Sequence, residues 1–155
     1  MPSDTPPPPT HTAALPPAIR PLDVLYADDV RQLRELLTLI LKRDGHHCET
    51  VSNGSDALAS VTKPGSAYDL LITDHHMPGI NGLELVRRAR AARFAGKIII
   101  FSSELDPAVH REYLKFNVDL VLPKPVFPSD FRRVLREQFA SHYPAATDGA
   151  KSSAS

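Results

Sequence analysis

The 155-residue chain has one cysteine, no tryptophan and equal numbers of basic and acidic side chains, 18 of each. The lone Cys48 excludes a disulfide within the chain and fits a reducing compartment. Balanced charge provides no net field that would favour nucleic acid or an anionic membrane surface. The chain has neither an apolar run long enough to span a bilayer nor the basic start and apolar core of a signal peptide. These absences predict a cytoplasmic protein without direct contact to nucleic acid or membrane.

Proline is unevenly distributed, because eight of the 15 prolines fall within residues 1–21. That segment has few apolar residues to anchor a core, so it is predicted to be a disordered extension rich in polyproline II conformation. It has the composition of a ligand for an aromatic-lined groove, but a flexible extension is the simpler interpretation. The folded domain is predicted over residues 22–142, followed by a small, polar, disordered tail at residues 143–155.

Between these tails, short apolar runs alternate with amphipathic segments of helical period. Strands are predicted at residues 22–27, 47–51, 69–73, 97–101 and 120–122. Helices are predicted at residues 30–43, 55–61 and 82–93, and from residues 106 and 128. Five strands alternating with five helices predict an α/β domain with a parallel sheet and helices on both faces.

Polar residues follow four of the predicted strands: Asp28 and Asp29, then Asp74, Ser102 and Lys124. The carboxyl ends of parallel strands share one edge of the sheet, so these side chains are expected to converge there. Two carboxylates 4 Å apart repel by roughly 4 kcal/mol at an effective dielectric of 20. Three acids therefore require cations, which Lys124 and a bound Mg²⁺ would supply.

This set of residues has the chemistry of a phosphoryl acceptor. An aspartate carboxylate such as Asp74 is a known type of nucleophile that forms aspartyl-phosphate. Mg²⁺ uses one or two carboxylates and completes its shell with water and substrate phosphate. Ser102 would then hydrogen-bond one phosphoryl oxygen while Lys124 neutralises another.

The same residues, in the same order, resemble the receiver domain of two-component response regulators. The resemblance rests on Asp28–Asp29, on Asp74–His75–His76–Met77–Pro78–Gly79 with Gly82, on Ser102, and on Lys124–Pro125. It covers residues 22–142 and implies a flavodoxin-like (βα)5 doubly wound sheet with strand order 2-1-3-4-5. It also implies a signalling domain that catalyses only its own phosphoryl transfer and autodephosphorylation.

By this resemblance Asp74 accepts a phosphoryl group from a phosphohistidine on a sensor histidine kinase or a histidine phosphotransfer protein. The phosphorylated state would then alter binding to a downstream protein. The resemblance implies a cis peptide bond at Lys124–Pro125, and Ser102 and Lys124 as the groups that contact the phosphoryl group. The implied Mg²⁺ ligands are Asp28, Asp29, Asp74 and the backbone carbonyl of His76.

One position departs from the family pattern, because Val121 stands where receivers place tyrosine or phenylalanine three residues before the lysine. A valine is too short and too stiff about χ1 to replace the inward swing of a ring. The signal is therefore expected to pass through the backbone after Ser102 and the helix near Asp106, with residues 103–105 as a mobile loop.

Alternative functions remain open from the sequence. A binding-only pseudo-receiver would keep the fold without phosphorylation, and Asp74–His75–His76 also occurs in a class of metal-dependent phosphoesterases. A haloacid-dehalogenase-type phosphatase would need a second acid at position 76, which is His76. Histidines 75 and 76 are interpreted instead as surface-loop residues, and the chain as a stand-alone receiver.

Overall fold

The computed structural model describes residues 20–103 and 106–140. In this part of the chain five parallel strands form one sheet, in the order β2-β1-β3-β4-β5. The strands are β1 (Asp23–Ala27), β2 (His47–Val51), β3 (Leu70–Asp74), β4 (Lys97–Ser102) and β5 (Leu120–Pro123). This order confirms the predicted flavodoxin-like sheet, and each strand lies within a residue or so of its predicted position.

A helix follows each strand. The helices are α1 (Arg31–Arg43), α2 (Gly54–Thr62), α3 (Gly82–Ala91), α4 (Pro107–Leu114) and α5 (Pro128–Gln138). Asn53, Asn81 and Asp106 cap α2, α3 and α4, each accepting a hydrogen bond from a backbone N–H of the first turn. Asn53 is therefore the cap and Gly54 the first residue of α2.

The central strand β3 is buried at all five positions, as expected of a strand covered on both faces. Side chains alternate between the two faces. On one face, Leu71 belongs to a core cluster that also contains side chains of α2, α3 and α4. On the other face, the ring of Phe101 makes edge contacts with Tyr26 and Phe131, at centroid distances of 5.8 and 6.1 Å. Both faces of the sheet are therefore covered by apolar side chains.

The helical spacing of the leucine and isoleucine residues in α1 predicts one core-facing side, but one of these residues is exposed. Leu37, Ile40 and Leu41 are buried as expected, but Leu36 is 47% exposed. Successive residues of a helix are separated by about 100° around its axis, which places Leu36 at the flank of the buried stripe. The prediction that Leu36 faces the core is wrong for this reason.

The described residues fall into two compact units. Pro21–Arg132 contains the sheet, α1 to α4 and the start of α5. Arg20 and residues 133–140 belong to the second unit, and Val134, Leu135 and Phe139 are buried. The helices of the described residues all lack the length and apolar character needed to cross a bilayer. The predictions for residues 1–19, 104–105 and 141–155 lie outside the described part of the chain.

Candidate functional site

The predicted site residues lie at the carboxyl edge of the sheet. Asp28 directly follows β1, Asp74 and Ser102 are the last residues of β3 and β4, and Lys124 directly follows β5. Carboxylate oxygens of Asp28, Asp29 and Asp74 all lie within 4.8 Å of one another. The expected convergence of the acids is confirmed, and it follows from the parallel arrangement of the strands.

Asp28 is fully buried and held in one orientation. Its Oδ2 accepts hydrogen bonds from the Tyr26 hydroxyl at 2.6 Å and from Lys124 Nζ at 3.0 Å. Its Oδ1 accepts a hydrogen bond from the backbone N–H of Val30 at 2.9 Å. The guanidinium of Arg34 donates to the Asp28 carbonyl oxygen at 2.7 Å. Both the carboxylate and the main chain of Asp28 are thus fixed before any ligand binds.

Tyr26 contributes to the site although sequence reasoning assigned it only to a strand. Burial, followed by the neighbouring Asp28 carboxylate, raises the pKa of Tyr26 far above its usual value. The phenol therefore stays protonated and remains a donor to Asp28. The signal in the sequence was side-chain alternation, which places residues 26 and 28 on the same face of the strand.

Asp74 is only 6% exposed. Lys124 Nζ lies 3.4 Å from Asp74 Oδ2, so a single ammonium group contacts both buried carboxylates. Burial raises the pKa of Asp74; Lys124 opposes this shift, and the charge of Asp28 adds to it. The carboxylate of Asp74 is therefore less favourable as an anion here than it would be in water.

The donor set fits a hard divalent cation. Asp28, Asp29 and Asp74 form the only group of three or more metal-capable side chains found among the described residues, and every donor is a carboxylate oxygen. Asp28 is buried and anchored by other contacts, whereas Asp29 is exposed. Oxygen ligands and an excess of negative charge over the single Lys124 match Mg²⁺ rather than a metal that prefers nitrogen or sulfur.

Ser102 and Lys124 are joined through the main chain. The backbone N–H of Lys124 donates to the carbonyl oxygen of Ser102 at 3.0 Å, and Ser102 is buried. The Lys124–Pro125 peptide bond is cis, which confirms what the resemblance implied. Val121 pairs in register with Ile100 and packs, half-buried, against the core cluster. The phosphate-contacting role of the Ser102 hydroxyl stays a prediction.

The two histidines after Asp74 have different environments. His76 is exposed as expected, but the surface-loop interpretation of His75 is wrong, because its side chain is 8% exposed. The Nδ1 atom of His75 lies 2.5 Å from the hydroxyl oxygen of Tyr113 in α4. Neither imidazole belongs to the acidic group, so the geometry gives no support to a phosphoesterase with histidine ligands. The role of the His76 carbonyl stays a prediction.

Comparison with known proteins gives the same family. The model of the response regulator receiver domain matches residues 24–136. The chain is 33% identical over 145 residues to the sensor histidine kinase AruS of Pseudomonas aeruginosa, a match covering 90% of this chain and 14% of the kinase. It is 29% identical over 107 residues to the transcriptional regulatory protein ResD of Bacillus subtilis, covering 69% of this chain and 43% of ResD.

Solved structures agree on the fold. A CheY-like receiver domain protein from Methanospirillum hungatei superposes with a TM-score of 0.74 at 22% identity, covering 79% of this chain and 97% of that one. The chemotaxis protein CheY4 of Vibrio cholerae gives a TM-score of 0.69 at 27% identity, covering 76% and 98%.

The fold and the acidic site define a phosphoacceptor signalling domain of two-component systems, not an enzyme that acts on a separate substrate. The chain belongs to the response regulator receiver domain family. It spans 14% of the length of AruS and 43% of that of ResD.

Proposed function

We propose that Asp74 accepts a phosphoryl group from a phosphohistidine on a sensor histidine kinase or a histidine phosphotransfer protein. The observation that carries this proposal is the contact of one ammonium group, that of Lys124, with both Asp28 and Asp74. The contact fixes a buried carboxylate beside two others at the edge where ligands of such sheets bind. The match to receiver domains and to a sensor histidine kinase supports the assignment.

In this reaction an Asp74 carboxylate oxygen attacks phosphorus while the phosphorus–nitrogen bond to the donor imidazole breaks. The electron pair of that bond returns to the imidazole nitrogen, and Asp74 becomes an acyl phosphate. Lys124 then contacts one phosphoryl oxygen, and the Ser102 hydroxyl donates a hydrogen bond to another. Hydrolysis of the acyl phosphate by water at the same site returns Asp74 to its starting state.

The acids beside Asp74 would hold the metal ion. Asp28 and Asp29, together with Asp74 and the carbonyl of His76, would bind Mg²⁺, which when bound neutralises charge on the phosphoryl oxygens. Tyr26 keeps Asp28 turned toward the site by donating to its Oδ2. This division of roles makes Asp28 the fixed acid and Asp29 the exposed one.

Residues 22–142 are proposed as the receiver domain, a range that contains the family match over residues 24–136. The phosphorylated state is proposed to change the affinity for a downstream protein partner, in a cytoplasmic setting and without direct contact to nucleic acid or membrane. A phosphorylation-independent binding module is the second candidate. One site contains Asp28, Asp29, Asp74 and Lys124. Their proximity favours signalling by phosphorylation over a phosphorylation-independent binding module.

Intact-mass measurement after incubation with acetyl phosphate and Mg²⁺ tests the proposal. The wild-type protein should gain the mass of one phosphoryl group, and Asp74→Asn should gain none. Asp69→Asn is the matched control, because Asp69 lies just before β3, at the opposite end from Asp74, and accepts a hydrogen bond from the Asp23 backbone. Unmodified wild-type protein, or modification of Asp74→Asn, would contradict the assignment.

A further inference from the structure

A buried hydrogen bond connects the residue after the proposed phosphoacceptor to helix α4. His75 Nδ1 and the Tyr113 hydroxyl oxygen are 2.5 Å apart, and the two rings meet edge to face at a centroid distance of 5.5 Å. Both side chains are buried, at 8% and 0% exposure. The pair therefore joins two segments that lie 38 residues apart in the sequence.

The Tyr113 hydroxyl also packs against the start of α3. A Cβ atom added at Gly82 would lie 2.6 Å from this hydroxyl oxygen and 2.6 Å from the Asp74 carbonyl oxygen. The backbone N–H of Gly82 donates to the His75 carbonyl at 2.9 Å, which closes the loop between β3 and α3. The hydroxyl thus contacts both ends of the loop that begins at the proposed phosphoacceptor.

Tyr113 is the most buried residue of α4, and Val109 packs partly buried against the same core cluster. Of the eight residues in Pro107–Leu114, Tyr113 alone is buried. Val121, where the family places a ring, has no polar atom and a restricted χ1 torsion. The ring and hydroxyl that touch the loop after Asp74 therefore come from α4.

We propose that the hydrogen bond between His75 and Tyr113 couples phosphorylation of Asp74 to the position of α4, with Tyr113 as a positioning residue. This proposal rests on the proposed function of Asp74. A phosphoryl group adds charge and volume beside the Asp74 main chain, and the next side chain along that chain is His75. Because the Tyr113 hydroxyl hydrogen-bonds His75 and lies where a side chain at Gly82 would clash with it, displacement of His75 displaces the phenol and with it the helix.

Hydrogen exchange of the full-length chain, with and without beryllofluoride and Mg²⁺, tests the coupling. In wild type, beryllofluoride should change exchange across residues 107–116. Tyr113→Phe keeps the ring and removes the hydroxyl, so it should lose most of this change. Acetyl phosphate should still modify the variant to the wild-type extent, since the acids and Lys124 are untouched.

Tyr68→Phe is the control for loss of a tyrosine hydroxyl, because Tyr68 donates an exposed hydrogen bond, at 2.5 Å to Glu49 Oε1, and lies just before β3, away from the site. It should respond like wild type. His75→Leu removes the other partner and should lose the same exchange change, and the double variant should show no further loss. This second route to breaking the bond keeps the test decisive if Tyr113→Phe fails to fold.

The outcomes separate the two proposals. A wild-type response at residues 107–116 in both Tyr113→Phe and His75→Leu would overturn the coupling and leave the phosphoacceptor assignment intact. Loss of phosphorylation in Tyr113→Phe would also overturn it, because the hydroxyl would then act on the chemistry. A wild type that neither binds beryllofluoride nor takes up phosphate would overturn both.

Discussion

Charged side chains have different surroundings at the two ends of the parallel sheet. At the carboxyl end, Asp28 and Asp74 crowd around the ammonium of Lys124, and burial raises the pKa of Asp74. At the amino end, several charged side chains form hydrogen bonds to the backbone. Asp119 accepts a hydrogen bond from the backbone N–H of Ile98, which lies in β4. The carboxyl end retains unfavourable charge that the proposed Mg²⁺ would relieve, whereas these charged groups of the amino end already have partners.

Arg90 in α3 is the principal donor at the amino end. Its guanidinium donates to the carbonyl oxygens of Phe94 and Gly96 at 2.8 Å each. It also donates to those of Phe116 and Asn117, at 2.9 and 2.8 Å, in the segment after α4. One side chain thus satisfies four carbonyl groups from two loops that no secondary structure would pair.

The carboxyl end of the sheet thus carries the candidate site, and the amino end contributes stability. Functional sites commonly hold groups whose environment lowers stability, with compensation elsewhere in the fold. Here the compensation is at the opposite ends of the same strands. Substitutions at the two ends should therefore change stability with opposite sign.

The largest effect is expected from Arg90→Met. The variant leaves four carbonyl groups without their charged donor, at a cost of roughly 3–5 kcal/mol in the free energy of unfolding. Urea denaturation of this variant against Arg87→Met gives the measurement. Arg87 lies on the same helix but is exposed, and its contact with Glu84 is worth little in water. Equal free energies of unfolding for the two variants would show that the hydrogen bonds of Arg90 do not stabilise the amino end.

A smaller change of opposite sign is expected from Asp74→Asn in the absence of metal. The pKa of Asp74 in the folded protein is raised above its usual 3.8. The ionised carboxylate therefore lowers the free energy of unfolding at pH values above that raised pKa. The gain from Asp74→Asn, about 1 kcal/mol at neutral pH, should shrink as pH falls through the raised pKa and vanish below 3.8. Urea denaturation at several pH values measures this difference.

Asp69→Asn is the comparison for the other end of β3. Its carboxylate accepts a hydrogen bond from the Asp23 backbone at 2.8 Å. The variant should be no more stable than wild type at any pH. A stabilising Asp69→Asn, or a destabilising Asp74→Asn, would break the proposed contrast between the two ends.

The third prediction concerns His46 at the amino end. Its Nδ1 accepts a hydrogen bond from the Leu22 backbone N–H at 3.0 Å, so that nitrogen carries no proton, and burial lowers the pKa of His46 from 6.5. The unfolded state therefore binds a proton more readily. The contribution of neutral His46 to the free energy of unfolding is fully present above pH 6.5. It is lost as pH falls from 6.5 toward the lowered pKa of the folded protein.

Unfolding free energy measured against pH checks this prediction. In wild type the free energy of unfolding should fall as pH drops below 6.5, and His46→Gln should reduce this fall by about 1 kcal/mol. The control His47→Gln, at the exposed neighbouring residue, should show the same fall as wild type. Some slope should remain in His46→Gln because burial lowers the pKa of His75 in the same direction. An unchanged slope in His46→Gln would show that this hydrogen bond does not control acid stability.

The resemblance to receiver domains implied the strand order. The strand pattern predicted the convergence of Asp28, Asp74 and Lys124, because parallel strand ends must share an edge. The helical spacing of Val109, Tyr113 and Phe116 also predicts that these side chains share the inner face of α4. The sequence did not predict that His75 would be buried against Tyr113, since loop conformation leaves no periodic signal. The four carbonyl partners of Arg90 were missed for a related reason: they depend on how two loops fold back together.

Magnesium binding to the apo protein tests most directly whether the acidic group at the carboxyl end of the sheet holds repulsive charge that a cation relieves. Mg²⁺ should raise the free energy of unfolding of wild type through preferential binding to the folded state. The same addition should stabilise Asp29→Ala much less and leave the response of Asp69→Asn like that of wild type. No stabilisation of wild type by Mg²⁺, or equal stabilisation of wild type and Asp29→Ala, would contradict the account.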